Sequence, residues 1–257
     1  MKVTVCELPH ELDALEAAWS ALCDHTGAEA SELVVLPEFV FVEPLWLLDR
    51  FDAVAWSHAE AVADHWLQRL PELRAGYVVG TRPVTAGDKH YNEGFLWSPG
   101  GGIVPLRRKF YLPDQNGGFE ARWFDRGTAD FPVYAAGELS FGLNICTELW
   151  ALDSCRAYAS TDATAIIAPR ATSATTTGKW LSLGTVAAVT SGCYCLSSNR
   201  VQSDGACGGV GWIIEPDGAL LARTSSIERF CTREIELERS RRARTTYPRY
   251  VFMPPAA

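Results

Sequence analysis

The chain has 257 residues, of which 47% are hydrophobic and 21% charged, a composition typical of globular proteins. Its 23 basic and 31 acidic residues give a formal net charge of −8, which argues against nucleic acid or an anionic membrane surface as a partner. No apolar run approaches the roughly 20 residues of a membrane-spanning helix. The first residues look like a strand rather than a signal peptide, and the eight cysteines form no dense framework. We therefore expect a cytoplasmic protein with reduced thiols.

The beginning of the chain predicts helices packed on a sheet. Residues 3–8 and 33–36 are short apolar runs that predict buried strands. Between them, apolar residues recur at helical spacing: Leu12, Leu15, Trp19 and Leu22. The same spacing predicts a second helix over residues 62–73, and residues 77–80 predict the strand after it. This alternation is typical of helices that cover a sheet.

The rest of the chain continues the pattern. A hairpin is predicted with strands 91–97 and 102–106 around the turn Ser98-Pro99-Gly100-Gly101. Further strands are predicted at 141–145, 165–168, 194–201, 210–214 and 220–224, further helices at 153–161 and 180–191, and a charged tail at 233–244. Since no linker or repeat interrupts the chain, we predict a single domain, residues 1–257, with helices outside a mostly β core.

The stretch around Cys146 is the most informative in the sequence. The apolar run 141–145 predicts a strand that stops at Cys146, before a polar turn and a helical segment. A thiol at the end of a strand and near the positive end of a helix is favoured as a thiolate nucleophile. The alternative is a cysteine buried as a small hydrophobic residue.

Two further stretches place a charged residue among apolar ones. Glu38 lies in Leu-Pro-Glu-Phe at the end of a predicted strand, and Lys109 lies in Arg-Arg-Lys-Phe-Tyr-Leu-Pro, residues 107–113. Taken singly, Glu38 is interpreted as a surface carboxylate and Lys109 as part of a solvated charge run. Taken in order with Cys146, the two residues form a Glu, Lys, Cys set, and both are then interpreted as catalytic.

The three stretches in this order resemble the carbon–nitrogen hydrolase (nitrilase) superfamily, and the likeness covers nearly the whole chain. Four other segments are similar to the family's pattern: Tyr91-Asn92 with the Ser-Pro-Gly turn that follows, residues 120–127, residues 176–180 and residues 198–218. One segment departs from it, since residues 187–191 read Ala-Ala-Val-Thr-Ser where many relatives have Arg-Ala-x-Glu-Asn. The polar tie usually formed there is missing, which affects the local packing and the dimer contact.

The resemblance implies a fold, an activity and an assembly. The fold is α/β, a four-layer αββα sandwich of the nitrilase type. The activity is hydrolysis of amides, nitriles or N-carbamoyl compounds without a cofactor, and the substrate is a small molecule. Pairing through a helical face implies a homodimer or a larger even oligomer. No Cys-x-x-Cys pair or histidine cluster completes a zinc site, so we predict no metal.

The resemblance also implies the catalytic roles. Cys146 attacks the carbonyl or nitrile carbon, and Glu38 takes the thiol proton and later activates water. Lys109 and the backbone N–H of Thr147 stabilise the oxyanion. Glu120 holds Lys109 or positions the substrate.

Four residues near these motifs have weaker signals. Glu148 follows the nucleophile, and we expect it to cap the next helix rather than touch the site. Arg170 is a candidate for binding a substrate carboxylate, with a surface or interface salt bridge as the alternative. Phe39 and Trp150 are candidates for lining an acyl pocket that favours apolar or aromatic substrates.

The first functional hypothesis is a thiol amidohydrolase that converts a small carboxamide into an acid and ammonia through a thioester. A nitrilase or an N-carbamoyl amidohydrolase would use the same Glu-Lys-Cys set. An acyltransferase, or a glutaminase that works with a separate partner, are alternatives within the enzyme class. A hypothesis of another class is a non-catalytic scaffold that kept the fold, although the intact catalytic set argues against it.

Overall fold

In the computed structural model, which describes residues 1–202 and 205–252, the strands form two six-stranded halves of one sheet. The first half contains, in spatial order, β5 (Gly102–Arg108), β4 (Lys89–Ser98), β3 (Tyr77–Ala86), β2 (Leu33–Val35), β1 (Lys2–Leu8) and β12 (Phe230–Glu234). The second half contains β6 (Val133–Ala136), β7 (Leu139–Leu143), β8 (Ala165–Arg170), β9 (Tyr194–Arg200), β10 (Trp212–Ile214) and β11 (Leu220–Arg223). The halves join where the ends of β1 and β9 pair, Glu7 with Asn199 and Leu8 with Arg200.

Side-chain alternation along the central strands separates an inner core from an outer one. Val3 and Val5 of β1 pack with β7, β8 and β9 of the other half, whereas Cys6 faces the opposite way, toward the outer core. In β2, Val35 belongs to the inner core and Val34 to the outer one. Because successive side chains of a strand point to opposite faces, each half buries one face against the other half and one face under helices.

The helices complete the outer layers. Helices α1 (Leu12–Glu29) and α2 (Ala53–Leu67) pack on the first half, and α4 (Leu152–Ala159) and α5 (Thr177–Ser191) pack on the second. The order helix, sheet, sheet, helix confirms the predicted αββα sandwich. There are two further short helices. Helix α3 (Glu120–Trp123) comes between β5 and β6, and helix α6 (Leu237–Ala243) follows β12. None of the helices within the described residues has the length and apolar character needed to cross a membrane.

A glycine sets the distance between α4 and the strand that precedes the nucleophile. A Cβ at Gly142 of β7 would lie only 2.1 Å from the ring of Tyr158 of α4. Only glycine allows the strand backbone and this ring to approach so closely. The close contact therefore holds α4 against the strand whose end carries Cys146.

Most predicted elements are confirmed, and the differences have physical causes. The second helix begins at Ala53 and ends at Leu67, and Leu70–Leu73 form a separate 3-10 turn because Pro71 cannot donate within a helix. Strand β12 was not predicted. It pairs with β1 at the edge of the first half, where the exposed Arg233 and Glu234 obscure the apolar alternation of the strand. The short strand β6 was also missed.

The segment that departs from the family pattern ends helix α5. Ala187 and Ala188 are fully buried in the core, and the hydroxyl of Ser191 donates to the Ala187 carbonyl at 2.7 Å. Small apolar residues therefore fill the space, and the serine satisfies its own hydrogen bond within the helix.

Candidate active site

Four of the sequence-predicted residues meet at one place. Glu38 follows β2, Lys109 directly follows β5, Glu120 begins α3, and Cys146 follows β7 by three residues. All four side chains are buried, and the charges of Glu38, Lys109 and Glu120 each act on the Cys146 thiol. Residues from four separate segments thus form one cluster.

Lys109 lies between two carboxylates. Its Nζ is 2.8 Å from Glu38 Oε1, 2.8 Å from Glu120 Oε1 and 2.6 Å from Glu120 Oε2. Burial alone would lower the pKa of Lys109, but the charges of Glu120 and Glu38 outweigh it and raise the pKa above its usual value. Lys109 is therefore a permanent cation that holds the two acids in place.

Asn92 joins this cluster, although the sequence analysis gave it no role. It lies in β4 and is buried. Its side-chain Nδ2 donates to Glu38 Oε1 at 2.9 Å, and its backbone carbonyl accepts the Lys109 N–H at 2.9 Å. The signal in the sequence is a polar residue within the buried part of a strand, where apolar side chains are the norm.

A buried arginine holds the loop that carries Glu38. Arg200 of β9 donates to the carbonyls of Phe39 at 2.8 Å and Val42 at 2.9 Å. Phe39 has a φ of 53°, in the left-handed region that side chains other than glycine disfavour. Its N–H donates to the Thr81 hydroxyl at 2.8 Å. Hydrogen bonds on both sides of Phe39 therefore stabilise a strained turn directly after the candidate base.

The nucleophile lies at the start of a short turn. Cys146 has a φ of 48° and begins a 3-10 helix, Cys146–Trp150. The first hydrogen bond of this turn runs from the Glu148 N–H to the Ile145 carbonyl at 3.1 Å. The N–H groups of Cys146 and Thr147 precede that bond, and such groups at a helix start have no partner within the helix. The Thr147 N–H thus has no partner within the turn, and its role as an oxyanion donor stays a prediction.

Glu148 ties the nucleophile turn to the lysine segment. Its carboxylate accepts the Ile145 N–H at 2.9 Å and the Phe110 N–H at 2.7 Å, and it forms a fully buried ion pair with Arg107. The predicted capping of the next helix is wrong, because α4 begins without a side-chain cap. Glu148 instead caps the 3-10 turn that contains the nucleophile and contacts Phe110, the residue after Lys109. The sequence analysis gave Arg107 no role. It lies in a run of basic residues, and the spacing of such a run does not show which arginine is buried.

Burial decides the protonation state of the nucleophile. It raises the pKa of the Cys146 thiol well above its usual value, and the charge of Glu38 raises it further, while Lys109 opposes the shift. Burial therefore favours the protonated thiol at rest, which agrees with the predicted role of Glu38 as the group that takes its proton. A five-residue turn and one lysine do not compensate for the loss of water around a charged sulfur. The thiol needs a base that takes its proton during attack.

The sequence profile of the carbon–nitrogen hydrolase family matches residues 2–245 of this chain. The chain belongs to the carbon–nitrogen hydrolase family. The superfamily and the enzyme class inferred from the motifs are thus confirmed. No curated protein sequence matches the chain significantly.

Solved structures of low sequence identity share the fold of this carbon–nitrogen hydrolase. A carbon–nitrogen hydrolase from Helicobacter pylori G27 has a TM-score of 0.83 and 18% identity, over 98% of this chain and 95% of that one. A member of the superfamily from Xanthomonas campestris, with an arsenic adduct in its active site, has a TM-score of 0.79 and 17% identity over 100% and 98%. A mutant amidase from Nesterenkonia sp. AN1 shows the acetamide moiety of fluoroacetamide added covalently at its active-site cysteine; it has a TM-score of 0.77 and 16% identity over 93% and 92%.

The three candidate substrate-binding residues of this carbon–nitrogen hydrolase lie in different environments. Phe39 is buried, and its ring packs edge-on against Trp46 and Phe124. Arg170 is also buried, and it donates to the hydroxyls of Ser197 and Thr172 and to the Val210 carbonyl. The predicted alternative of a surface or interface salt bridge is therefore wrong for Arg170 in this chain.

Trp150 is the candidate that faces open space. It is 51% exposed, and its ring meets Trp180 edge-on at 5.5 Å between centroids. It lines a cavity of about 570 Å³ together with Thr147, Tyr111 and Phe131. Thr147 directly follows Cys146 and Tyr111 lies two residues after Lys109, but none of the four clustered side chains lines the cavity. Its aromatic walls suit an apolar or aromatic group.

The described residues of the carbon–nitrogen hydrolase contain no group of three or more His, Cys, Asp or Glu side chains suited to a metal ion. Cys193 and Cys195, which flank a tyrosine in the sequence, are both buried. The Cys193 sulfur contacts the Ala163 carbonyl, and the Cys195 sulfur accepts the Trp212 ring N–H. Both act as core residues.

Glu120 predicts a pH dependence in the neutral range. Burial raises the pKa of Glu120 to about 7, although Lys109 opposes the shift. If the charged form is the one that holds Lys109, kcat/KM rises with pH and levels off above about 7. Glu120→Gln mimics the protonated acid, so we expect it to remove this rise and to lower the plateau by up to about 10²-fold, the lower end for loss of one oxyanion donor, because Lys109 loses its ionic partner. Measured kcat/KM from pH 5.5 to 9 tests this.

Unfolding experiments provide an independent control for Glu120. A carboxyl whose pKa is higher in the fold than in the unfolded chain stabilises the fold at low pH and loses this contribution as the pH rises through about 7. The wild type should lose this part of its unfolding free energy between about pH 4.5 and 7, and Glu120→Gln should not. A wild-type kcat/KM that is flat from pH 6 to 8 contradicts the catalytic part of the prediction.

Proposed function

We propose that this protein hydrolyses a small carboxamide to a carboxylic acid and ammonia through a thioester on Cys146. The observation that carries the proposal is the buried lysine between two carboxylates beside a buried thiol. Such an arrangement is costly to bury and has little value for stability alone. Hydrolysis of an unactivated amide needs all three of its components: a nucleophile, a proton carrier and a fixed positive charge.

The first half-reaction forms the thioester. Glu38 takes the proton of the Cys146 thiol as the sulfur attacks the carbonyl carbon, because the raised pKa of the thiol prevents ionisation beforehand. Lys109 and the Thr147 N–H stabilise the oxygen that becomes negative, and loss of one such donor typically costs about 2.7–4 kcal/mol of barrier. The adduct then collapses, the C–N bond breaks, and Glu38 returns its proton to the leaving nitrogen as ammonia departs.

The second half-reaction restores the enzyme. Glu38, again a carboxylate, takes a proton from a water molecule that attacks the thioester carbon. The C–S bond breaks, the thiolate recovers the proton from Glu38, and the acid leaves. Glu120 supports both steps by holding Lys109 in position. No redox partner or cofactor is needed for this balance of bonds and protons.

The amide is favoured over the other substrates of the family by analogy with similar structures. A mutant of the amidase from Nesterenkonia sp. AN1, which shares the fold, shows covalent addition of the acetamide moiety of fluoroacetamide and Michael addition of acrylamide at its active-site cysteine. A nitrile would react at the same thiol through a thioimidate, and an N-carbamoyl compound through a carbamoyl thioester. Within the proposed amide class, Trp150 and the cavity beside Thr147 contact the acyl group. Phe39 and Arg170 support the site from the core.

The proposed assembly follows from the same resemblance, and the proposed compartment follows from the cysteines, which are all free thiols. We expect a homodimer or a larger even oligomer in the cytoplasm, with the pairing made by a helical face. Small-molecule substrates suit a cavity of this size.

The test of the proposed function is ammonia release from a substrate panel together with trapping of the acyl-enzyme. The panel contains short-chain, ω-dicarboxylic and arylacetic amides, the matching nitriles and N-carbamoyl amino acids. We expect arylacetic or other apolar amides to be the best substrates, and rapid acid quench followed by peptide mass analysis to find the acyl group on Cys146. Faster turnover of nitriles or N-carbamoyl compounds than of any amide would overturn the amidase assignment. An acyl mass on another residue would overturn the thioester.

A further inference from the structure

Asn92 contacts both parts of the acid–base machinery. Its Nδ2 donates to Glu38 Oε1 at 2.9 Å, while its backbone carbonyl accepts the Lys109 N–H at 2.9 Å. The residue lies within β4, where Asn92 is paired with Pro83 of β3, and it is 1% exposed. Through its side chain and its backbone, Asn92 therefore holds both Glu38 and Lys109 against strand β4.

The contact distinguishes the two oxygens of the Glu38 carboxylate. Oε1 accepts from Lys109 Nζ at 2.8 Å and from Asn92 Nδ2 at 2.9 Å. A carboxylate oxygen has two lone pairs, so these two donors occupy Oε1. The other oxygen, Oε2, is left to take the thiol proton. Without Asn92, the carboxylate could rotate about its terminal bond, which has a broad energy profile.

The orientation of the Asn92 amide follows from the same contact. With the amide reversed, Oδ1 would face the Glu38 carboxylate, and two acceptors would be in contact. Nδ2 must therefore face Glu38 and Oδ1 must face away. Among the residues that the structure describes, this buried Oδ1 has no hydrogen-bond donor. The side-chain contact that fixes the orientation of the Asn92 amide is therefore the one to Glu38.

We propose that Asn92 is a positioning residue that presents Glu38 Oε2 to the Cys146 thiol. The inference rests on the proposed function, in which Glu38 is the base. Asn92 itself forms no bond with the reacting atoms. Asn92 affects deprotonation of the thiol only by orienting the Glu38 carboxylate. A residue that only supports the strand would not change that orientation.

The closing experiment measures the alkylation of Cys146 by iodoacetamide, followed on the Cys146 peptide by mass spectrometry, beside the turnover of the best panel amide. For Asn92→Leu we expect alkylation at pH 7 to slow by about 10-fold and kcat to fall by about 10²-fold, within the range for proton-transfer groups. KM should change less than about twofold. The loss of the donor to Glu38 and the loss of the unpaired acceptor act on the melting temperature in opposite directions, so thermal unfolding is measured on the same preparation. Combined with Glu38→Gln, Asn92→Leu should add no further loss, since residues that act through one another are not additive.

A second variant keeps the test valid if Asn92→Leu folds poorly. Asn92→Asp has the same shape, and its carboxyl can donate to Glu38 only when protonated. Its alkylation rate relative to the wild type should therefore recover as the pH falls from 8 to 6. A residue with a purely structural role would give the same relative rate at every pH. The matched control is Thr4→Val, which removes a buried hydrogen-bonding side chain bonded to Ser31 and Thr232, in the same half of the sheet; it should alkylate like the wild type.

The outcomes separate this inference from the proposed function. Wild-type alkylation rates in Asn92→Leu, or losses that add to those of Glu38→Gln, would overturn the role of Asn92. Alkylation measures deprotonation of the thiol and needs no substrate. If no panel amide is hydrolysed, the proposed function fails, and the alkylation rates still support or overturn the positioning of Glu38 by Asn92.

Discussion

Cys146→Ala is expected to lose amide hydrolysis altogether while the protein stays folded. The thiol is the only group of the cluster that can form the thioester, and loss of the nucleophile in covalent hydrolases lowers kcat by about 10⁶-fold. The side chain is buried, and the change removes a single sulfur atom, so the melting temperature should shift by only a few degrees. Ammonia release and thermal unfolding, measured on the same preparation, test both parts.

A second cysteine provides the matched control. Cys155 lies in α4 and is fully buried, but it is nine residues from the nucleophile and outside the charged cluster. Cys155→Ala should cost stability, because it leaves a small cavity under a tightly packed helix, and should keep kcat. Ammonia release that persists in Cys146→Ala would show that another group attacks the substrate, and the assignment of the nucleophile would then be wrong.

Lys109→Met is expected to damage both stability and activity. Nζ is the counter-charge for two buried carboxylates, at 2.8 Å from Glu38 and 2.6 Å from Glu120. Removing one member of a buried ionic cluster costs about 3–5 kcal/mol, since the remaining charges lose their partner. Activity should fall by at least the roughly 10²–10³-fold that follows the loss of one oxyanion donor. Denaturant unfolding and kcat on the best amide measure the two effects.

The stability loss in Lys109→Met should depend on pH with a defined sign. The raised pKa of Lys109 means that its stabilising contribution is fully present throughout the neutral range and is lost only at strongly alkaline pH. In the variant, the two acids repel each other when both are charged and share a proton when the pH falls. The difference in unfolding free energy between wild type and variant should therefore be smaller at pH 5.5 than at pH 8.

Controls separate charge from shape at this position. Lys109→Arg keeps the charge but not the compact ammonium, so it should recover part of the stability and little of the activity. Lys179→Met removes an exposed lysine of α5 and should change the unfolding free energy by less than about 0.5 kcal/mol. A fully stable Lys109→Met at pH 8 would mean that the two carboxylates are not ionised together in the wild type.

The protonation states in this site form a consistent pattern. Burial raises the pKa of Cys146 and of Glu120, whereas neighbouring carboxylates keep Lys109 charged. The raised pKa values favour a protonated thiol beside the Lys109 cation, with Glu120 titrating near neutral pH. Thiol attack then needs a correctly oriented base more than a preformed thiolate. The proposed mechanism therefore depends on the orientation of the Glu38 carboxylate toward the thiol.

The sequence by itself determined where the chemistry lies along the chain. Apolar runs predict strands, and Glu38, Lys109 and Cys146 follow directly or closely after them, so their location at strand ends could be inferred locally. The ordered motifs predicted the family and the αββα fold, which are confirmed. Local patterns suffice for the long or strongly apolar segments, because their periodicity records which face is buried, whereas the short or charged strands β6 and β12 were missed.

Only the tertiary structure decided what surrounds those residues. Asn92 meets Glu38 across 54 positions of sequence, and Arg107 meets Glu148 across 41. The pKa of the Cys146 thiol is raised because the folded chain removes water from it, and Arg170 is buried because other segments fold over it. Hydrogen bonds between distant segments and the cost of desolvating a charge depend on which side chains fold against each other. The spacing of residues along the chain predicts neither these hydrogen bonds nor the cost of desolvation.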